Sequence, residues 1–93
     1  MSKPRVRRTN ASVGAAIADA RLRAGFSQAQ LARRLNRPQS YVSKIETGVR
    51  DVGVREFVWI VQRIGENSLQ LLEQLCRDDD FEDLDRRVKR GRF

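Results

Sequence analysis

The chain of 93 residues contains no histidine and a single cysteine. Those two shortages exclude a good deal of chemistry. There is no imidazole for proton transfer near neutral pH, no nucleophile with a base placed beside it, and no carboxylate pair suggestive of a cleft, so an enzyme is not expected. Cys76 has no second thiol to close a disulfide, which suits a reducing cytoplasm. With no second thiol or imidazole to share a metal, it reads as a small buried apolar residue, and no cofactor site is legible. Long apolar runs are missing too: none approaches the length of a membrane span or a signal-peptide core. No helical stretch pairs a Lys/Arg-rich face with a broad apolar one, which disfavours a membrane surface. Convincing strands are also missing. A soluble, cytoplasmic, all-α protein is the expectation.

Acidic residues are outnumbered, 12 against 19 Lys and Arg, for a net charge of +7. Arginine supplies nearly all of the positive side, and its planar fork can bond two phosphate oxygens at once. An excess of this sign points to an anionic partner, and with the membrane disfavoured that partner is nucleic acid. The length suits one domain with a single modest core and no separate small-ligand domain.

Five helices are legible in residues 10–76. The run VGAAIADARLRAG opens at Asn10 or Ser12, either able to cap, and stops at Gly25. Val13, Ile17 and Ala20, with Ala16 and Ala24 alongside, follow the helical period and form its inner stripe. A second helix starts at Ser27, with Gln30 at capping-box spacing and Leu31, Ala32 and Leu35 as its apolar face. Asn36, tolerant of a left-handed backbone, ends it. Pro38 begins a third helix, whose Val42 and Ile45 face inward until Gly48. Gly53 precedes a fourth with Val54, Phe57, Val61 and Ile64 inside. Ser68 caps a short fifth containing Leu69, Leu72 and Leu75.

The second and third helices are separated only by Asn36, Arg37 and Pro38. So short a link forbids extended antiparallel packing and makes the third helix cross the second steeply, a geometry suited to presenting a helix. With Val42 and Ile45 inward, Gln39, Ser40, Ser43 and Lys44 turn outward together. These side chains are small or polar and carry hydrogen-bond donors, a poor choice for burying a partner and a good one for base edges in a major groove. From Arg21 to Arg50 the only acid is Glu46.

Arg21, Gly25-Phe26-Ser27-Gln28, Leu31-Ala32, Leu35, Ser40, Val42-Ser43-Lys44-Ile45-Glu46, Gly48, Arg50 and Glu56-Phe57 carry a resemblance. From Val13 to about Leu75 the chain resembles the lambda-repressor-like helix-turn-helix family, often called the XRE family. The resemblance implies a five-helix bundle and a transcriptional regulator that binds double-stranded DNA as a homodimer on a two-fold operator. It places the recognition helix at about residues 39–46, with Gln39, Ser40, Ser43 and Lys44 at base-reading positions. Gln28 falls where a phosphate is bonded with help from the helix N-terminus. Tyr41, Thr47 and Arg50 fall where contacts to the DNA backbone are usual.

The chain departs from the family pattern at Arg37, where a small aliphatic residue is usual, at Pro38 in place of a capping Ser or Thr, and at Gly53 in place of a capping Asp. Arg37 is available as an added phosphate contact. Arg21 and Glu46 both lie on inward faces, where neither charge is tolerable alone, so they should pair. Members of the family show such an ion pair, and it would lock the recognition helix to the scaffold. Tyr41 either packs its ring on a neighbouring stem or offers its hydroxyl to phosphate. Arg33, Arg34 and Arg63 read as solvated faces.

Two terminal stretches flank this core. Residues 1–9, MSKPRVRRT, have almost nothing to bury and read either as a solvated terminus or as an arm laid along DNA through Lys3, Arg5, Arg7 and Arg8. Residues 77–93, RDDDFEDLDRRVKRGRF, place Phe81, Leu84 and Val88 at helical spacing, which suits a sixth C-terminal helix. Its end, KRGRF, fits a loose basic extension equally. The stripe would fold back on the core or pair with a second subunit. A protein partner bound through this tail, with the chain acting as an antitoxin or adaptor, is the alternative function. Val58 and Trp59, off the inner stripe of the fourth helix, add apolar surface for a partner to cover.

Overall fold

The computed structural model describes residues 10–77, which form α1 (Asn10–Arg23), α2 (Gln28–Leu35), α3 (Gln39–Glu46), α4 (Val54–Ile64) and α5 (Ser68–Arg77). The arm of residues 1–9 and the tail beyond Arg77, with the stripe Phe81, Leu84 and Val88, lie outside the described residues.

Local chemistry sets the ends of the central helices. Ser27 Oγ accepts from the Gln30 amide at 3.0 Å while Gln30 Oε1 accepts from the Ser27 amide at 2.8 Å, the reciprocal pair expected of a capping box. At the other end of α2, Asn36 adopts φ 57° and ψ 46°, the left-handed conformation. There the Arg37 amide reaches back to the Ala32 carbonyl at 2.9 Å, which turns the chain sharply toward α3. Pro38 does not open α3 from within, as its ring geometry suggests from sequence. It stands one place earlier, extended at φ −64° and ψ 154°, and contributes no side-chain cap.

Ile17 and Ala20 of α1, Leu31, Ala32 and Leu35 of α2, Val42 and Ile45 of α3, and Phe57, Ile60, Val61 and Ile64 of α4 form one buried cluster, closed by Leu71 of α5. α3 is held in this cluster by both α1 and α2, while α4 and α5 complete the bundle behind them. An exposed bidentate ion pair, Arg23 to Glu66 at 2.8 and 3.0 Å, links the end of α1 to the α4–α5 turn. At that exposure the pair is worth less than about 1 kcal/mol.

Several inward positions differ from the sequence expectation. Ala24 lies past the end of α1 and is exposed. Val54 is 74% exposed because, as the first residue of α4, it stands beyond the edge of the core; Ile60 takes its place in the stripe. In α5 the cap is Asn67, whose Oδ1 accepts from the Gln70 amide at 2.9 Å, and Ser68 is already helical. The inner stripe is accordingly Leu71 with Leu72 and Leu75, while Leu69, roughly a third of a turn away at 100° per residue, is exposed. Cys76 is likewise turned outward rather than buried. Among the described residues no helix is long and apolar enough to cross a membrane, and no His, Cys, Asp and Glu cluster could hold a metal ion.

Candidate nucleic-acid interface

α3 is fixed at both levels available to a helix, backbone and charge. The α1 backbone passes so close to the end of α3 that a Cβ on Gly14 would stand 2.1 Å from the Ile45 carbonyl oxygen and 3.0 Å from that of Glu46. Only a residue without a side chain permits that approach. About two turns further along α1, Arg21 donates from Nε to Glu46 Oε2 at 2.7 Å and from Nη2 to Glu46 Oε1 at 3.1 Å. The two side chains are 11% and 6% exposed, so the pair is largely out of water. The third edge of the guanidinium donates from Nη1 to the Phe26 carbonyl at 2.7 Å, so the same side chain also holds the α1–α2 loop.

The network continues outward. Gln28 Nε2 donates to Glu46 Oε1 at 2.9 Å, and Gln28 Oε1 accepts from Gln39 Nε2 at 3.4 Å. A chain of polar contacts therefore runs from the buried Arg21 to the exposed first residue of α3. Gln28 thus has two neighbours inside the protein, which reading it only as a phosphate ligand does not anticipate. Ser40 and Lys44 are exposed and Ser43 half-buried on the same outer face. These three make no side-chain hydrogen bond among the described residues, which leaves their donors free for an outside acceptor.

The residues expected at the DNA backbone are more engaged. Thr47 Oγ1 folds back to donate to the Ser43 carbonyl at 2.9 Å. The Tyr41 hydroxyl donates to Glu56 Oε2, and Arg50 Nη1 donates to Glu56 Oε1 at 2.9 Å and to the Asp51 carbonyl at 2.9 Å. The Arg50 guanidinium also stacks 4.9 Å from the Tyr41 ring centre. Of the two roles open to Tyr41, the ring packs and the hydroxyl proton is already given to a carboxylate. Arg37 lies against the same ring at 5.8 Å and against Trp59 at 5.2 Å.

Burial pushes the Tyr41 phenol up to about 12, with the Glu56 carboxylate adding to the shift. Burial pushes Glu56 upward too, but the hydrogen bonds from Tyr41 and Arg50 outweigh it and hold the carboxyl below its ordinary value. Because the folded phenol titrates above the unfolded one, the stabilisation is complete below about pH 10 and is lost as the pH rises through about 12. Tyr41 is the chain's one tyrosine, so phenolate absorbance reports this group alone. The folded protein is expected to ionise about two pH units above the chain in urea, and Glu56→Gln to close part of that gap. Coincident curves would mean the hydroxyl is free in water.

Three contributors were not legible as such in the sequence. Gly14 gave a signal, an unforced glycine inside a run of helix formers, where it costs about 1 kcal/mol against alanine. Glu56 has the acidic character common in a first helical turn, so its grip on Tyr41 and Arg50 gave none. Trp59 appeared as surplus apolar surface and proves to underlie Arg37.

Comparison with known proteins agrees with this geometry. The family model described as "Helix-turn-helix domain" matches residues 12–77. A solved structure of an XRE-family like protein from Pseudomonas syringae pv. tomato str. DC3000 is similar at 39% identity, with a TM-score of 0.66 over 71% of this chain and 80% of that one. No curated protein matches the chain.

Proposed function

We propose that this chain, which belongs to the XRE-like helix-turn-helix family, regulates transcription by reading a two-fold DNA operator as a homodimer. Membership makes it a DNA-binding regulator in general; the operator, the dimer, a cytoplasmic location and the residue roles are our finer reading. The observation that carries it is the outer face of α3: Gln39, Ser40, Ser43 and Lys44 stand together on a helix whose other side is fixed by Gly14 and Arg21. A rigid helix with unspent donors suits base edges, because little ordering remains to be done on binding.

In this reading Gln39 and Lys44 meet bases, Ser40 and Ser43 support them, and Gln28, Tyr41, Thr47 and Arg50 border the backbone. Gln28 has a double part, since its carbonyl oxygen already holds the Gln39 amide. A Gln amide so oriented suits the paired acceptor and donor of adenine. One recognition helix covers few base pairs, so two copies should bind half-sites about one DNA turn, ~34–36 Å, apart. Exposed Val54 and Leu69, with half-buried Val58 and Leu72 beside the core, are the surface available for that pairing.

Selection from a random DNA pool tests the proposal. A two-fold-symmetric enriched site bound by two copies in sedimentation is the expected outcome. An asymmetric site bound by one copy would remove the dimer. A pool with no enrichment would replace the operator reading with that of a protein-partner module.

A further inference from the structure

Arg37 lies in a well-formed turn between α2 and α3, and its side chain has a definite place. Its guanidinium lies 5.2 Å from the Trp59 ring centre and 5.8 Å from that of Tyr41, within the range of cation–π attraction to both. Nη1 donates to the Asn36 carbonyl at 3.2 Å, and the other guanidinium donors of this exposed residue have no hydrogen-bond partner among the described residues. No carboxylate pairs with Arg37 among the described residues. Arg50, on the far side of α3 in sequence, stacks on the same Tyr41 ring at 4.9 Å. Two cations are thus gathered on one aromatic pair beside the outer face of α3. Arg33 and Gln39 border an open depression next to Arg37, whose lining also includes Ala29, Ala32 and Pro38 and whose only charged side chains are the two arginines.

Two like charges gathered on one ring repel each other, and of the two only Arg50 is paired with a carboxylate, Glu56. We infer that Trp59 and Tyr41 form a shelf that holds Arg37 and Arg50 ready to grip the sugar–phosphate backbone of one DNA strand beside the groove entered by α3. This rests on the DNA-binding reading above, which already sets Arg50 at the backbone, and adds to it Arg37 and the aromatic shelf that positions the two. Arg37 and Arg50 meet phosphate; Trp59 and Tyr41 are positioning residues, and Glu56 fixes one end of the row. A fork held flat on a ring loses less freedom on bonding phosphate than a free side chain does.

The test is a salt titration of the full chain on a mixed-sequence DNA duplex, followed by anisotropy. Arg37→Met and Arg50→Met should each reduce the slope of log K against log salt by about one, and the double variant by about two. Arg37→Lys should keep the wild-type slope but bind several-fold more weakly, because an ammonium neither forks nor stacks as well. Trp59→Leu, checked by a melt to be folded, should also keep the slope and weaken binding, with Trp59→Phe restoring most of the loss. Trp59 is the chain's one tryptophan, so its emission should change at DNA saturation in the wild type and much less in Arg37→Met. If the wild type binds the duplex and Arg37→Met retains the full slope, this inference alone is overturned. If the wild type shows no salt-dependent binding, the DNA reading falls and takes this one with it.

Discussion

Arg21→Ala should lower the free energy of unfolding by about 3 kcal/mol or more, the usual loss when one partner of a buried ion pair is removed. The side chain makes three short contacts at once, two to Glu46 and one to the Phe26 carbonyl. Without it, Glu46 keeps only the Gln28 amide at 2.9 Å and remains a largely buried carboxylate with an incomplete set of donors. Lysine is no substitute, since a single ammonium cannot fork to Glu46 and reach Phe26 together. The double variant Arg21→Met with Glu46→Leu should recover most of the loss, because an apolar pair of similar volume leaves no charge to desolvate. A urea melt of Arg21→Ala shifted by less than about 1 kcal/mol would mean that water reaches the pair and that it does not anchor α3.

Gly14→Ala should be comparably severe, at about 3 kcal/mol, the upper end of what overpacking costs. In a helix with open space around it the same change would stabilise by about 1 kcal/mol, because alanine is the better helix former. Here the new methyl would stand 2.1 Å from the Ile45 carbonyl oxygen, and that atom belongs to backbone that cannot rotate aside. α1 and α3 must then separate, which opens the contact around Ile17 and Ile45, both 1% exposed. Weaker DNA binding should accompany the lower melt, since the same displacement tilts the outer face of α3. A Gly14→Ala protein as stable as the wild type would show that the two helices do not meet this closely.

Both changes act on one joint, and the joint was only half legible in the sequence. Arg21 and Glu46 announced themselves, because two opposite charges on inward helical faces have few alternatives to pairing. The Ser27–Gln30 cap and the left-handed Asn36 were legible for a similar reason: few residue types satisfy those backbone positions. Gly14 was not read as a contact, since a glycine records what a neighbour needs and the sequence does not say which neighbour. Val54, Leu69 and Cys76 went astray at helix ends and on stripe edges, where a shift of one residue turns a side chain by 100°. The outer face of α3 was legible in its residue types. The couplings among its members were not, because Gln28 to Gln39 and Arg37 to Trp59 depend on how α2, α3 and α4 cross.

The most direct test of the central claim, that α3 reads bases while its flanks hold the backbone, is one titration of two variants on two DNAs at a fixed salt concentration. The DNAs are the enriched site and a scrambled duplex of the same composition; the variants are Gln39→Ala and Arg50→Met. Gln39→Ala is expected to cost about 1–3 kcal/mol on the enriched site, to change little on the scrambled one, and to relax the choice at one base position. Arg50→Met is expected to weaken both by similar factors, since a phosphate contact carries no direct sequence information. If Gln39→Ala lowers both affinities equally and leaves the preference intact, α3 does not lie in the groove as described.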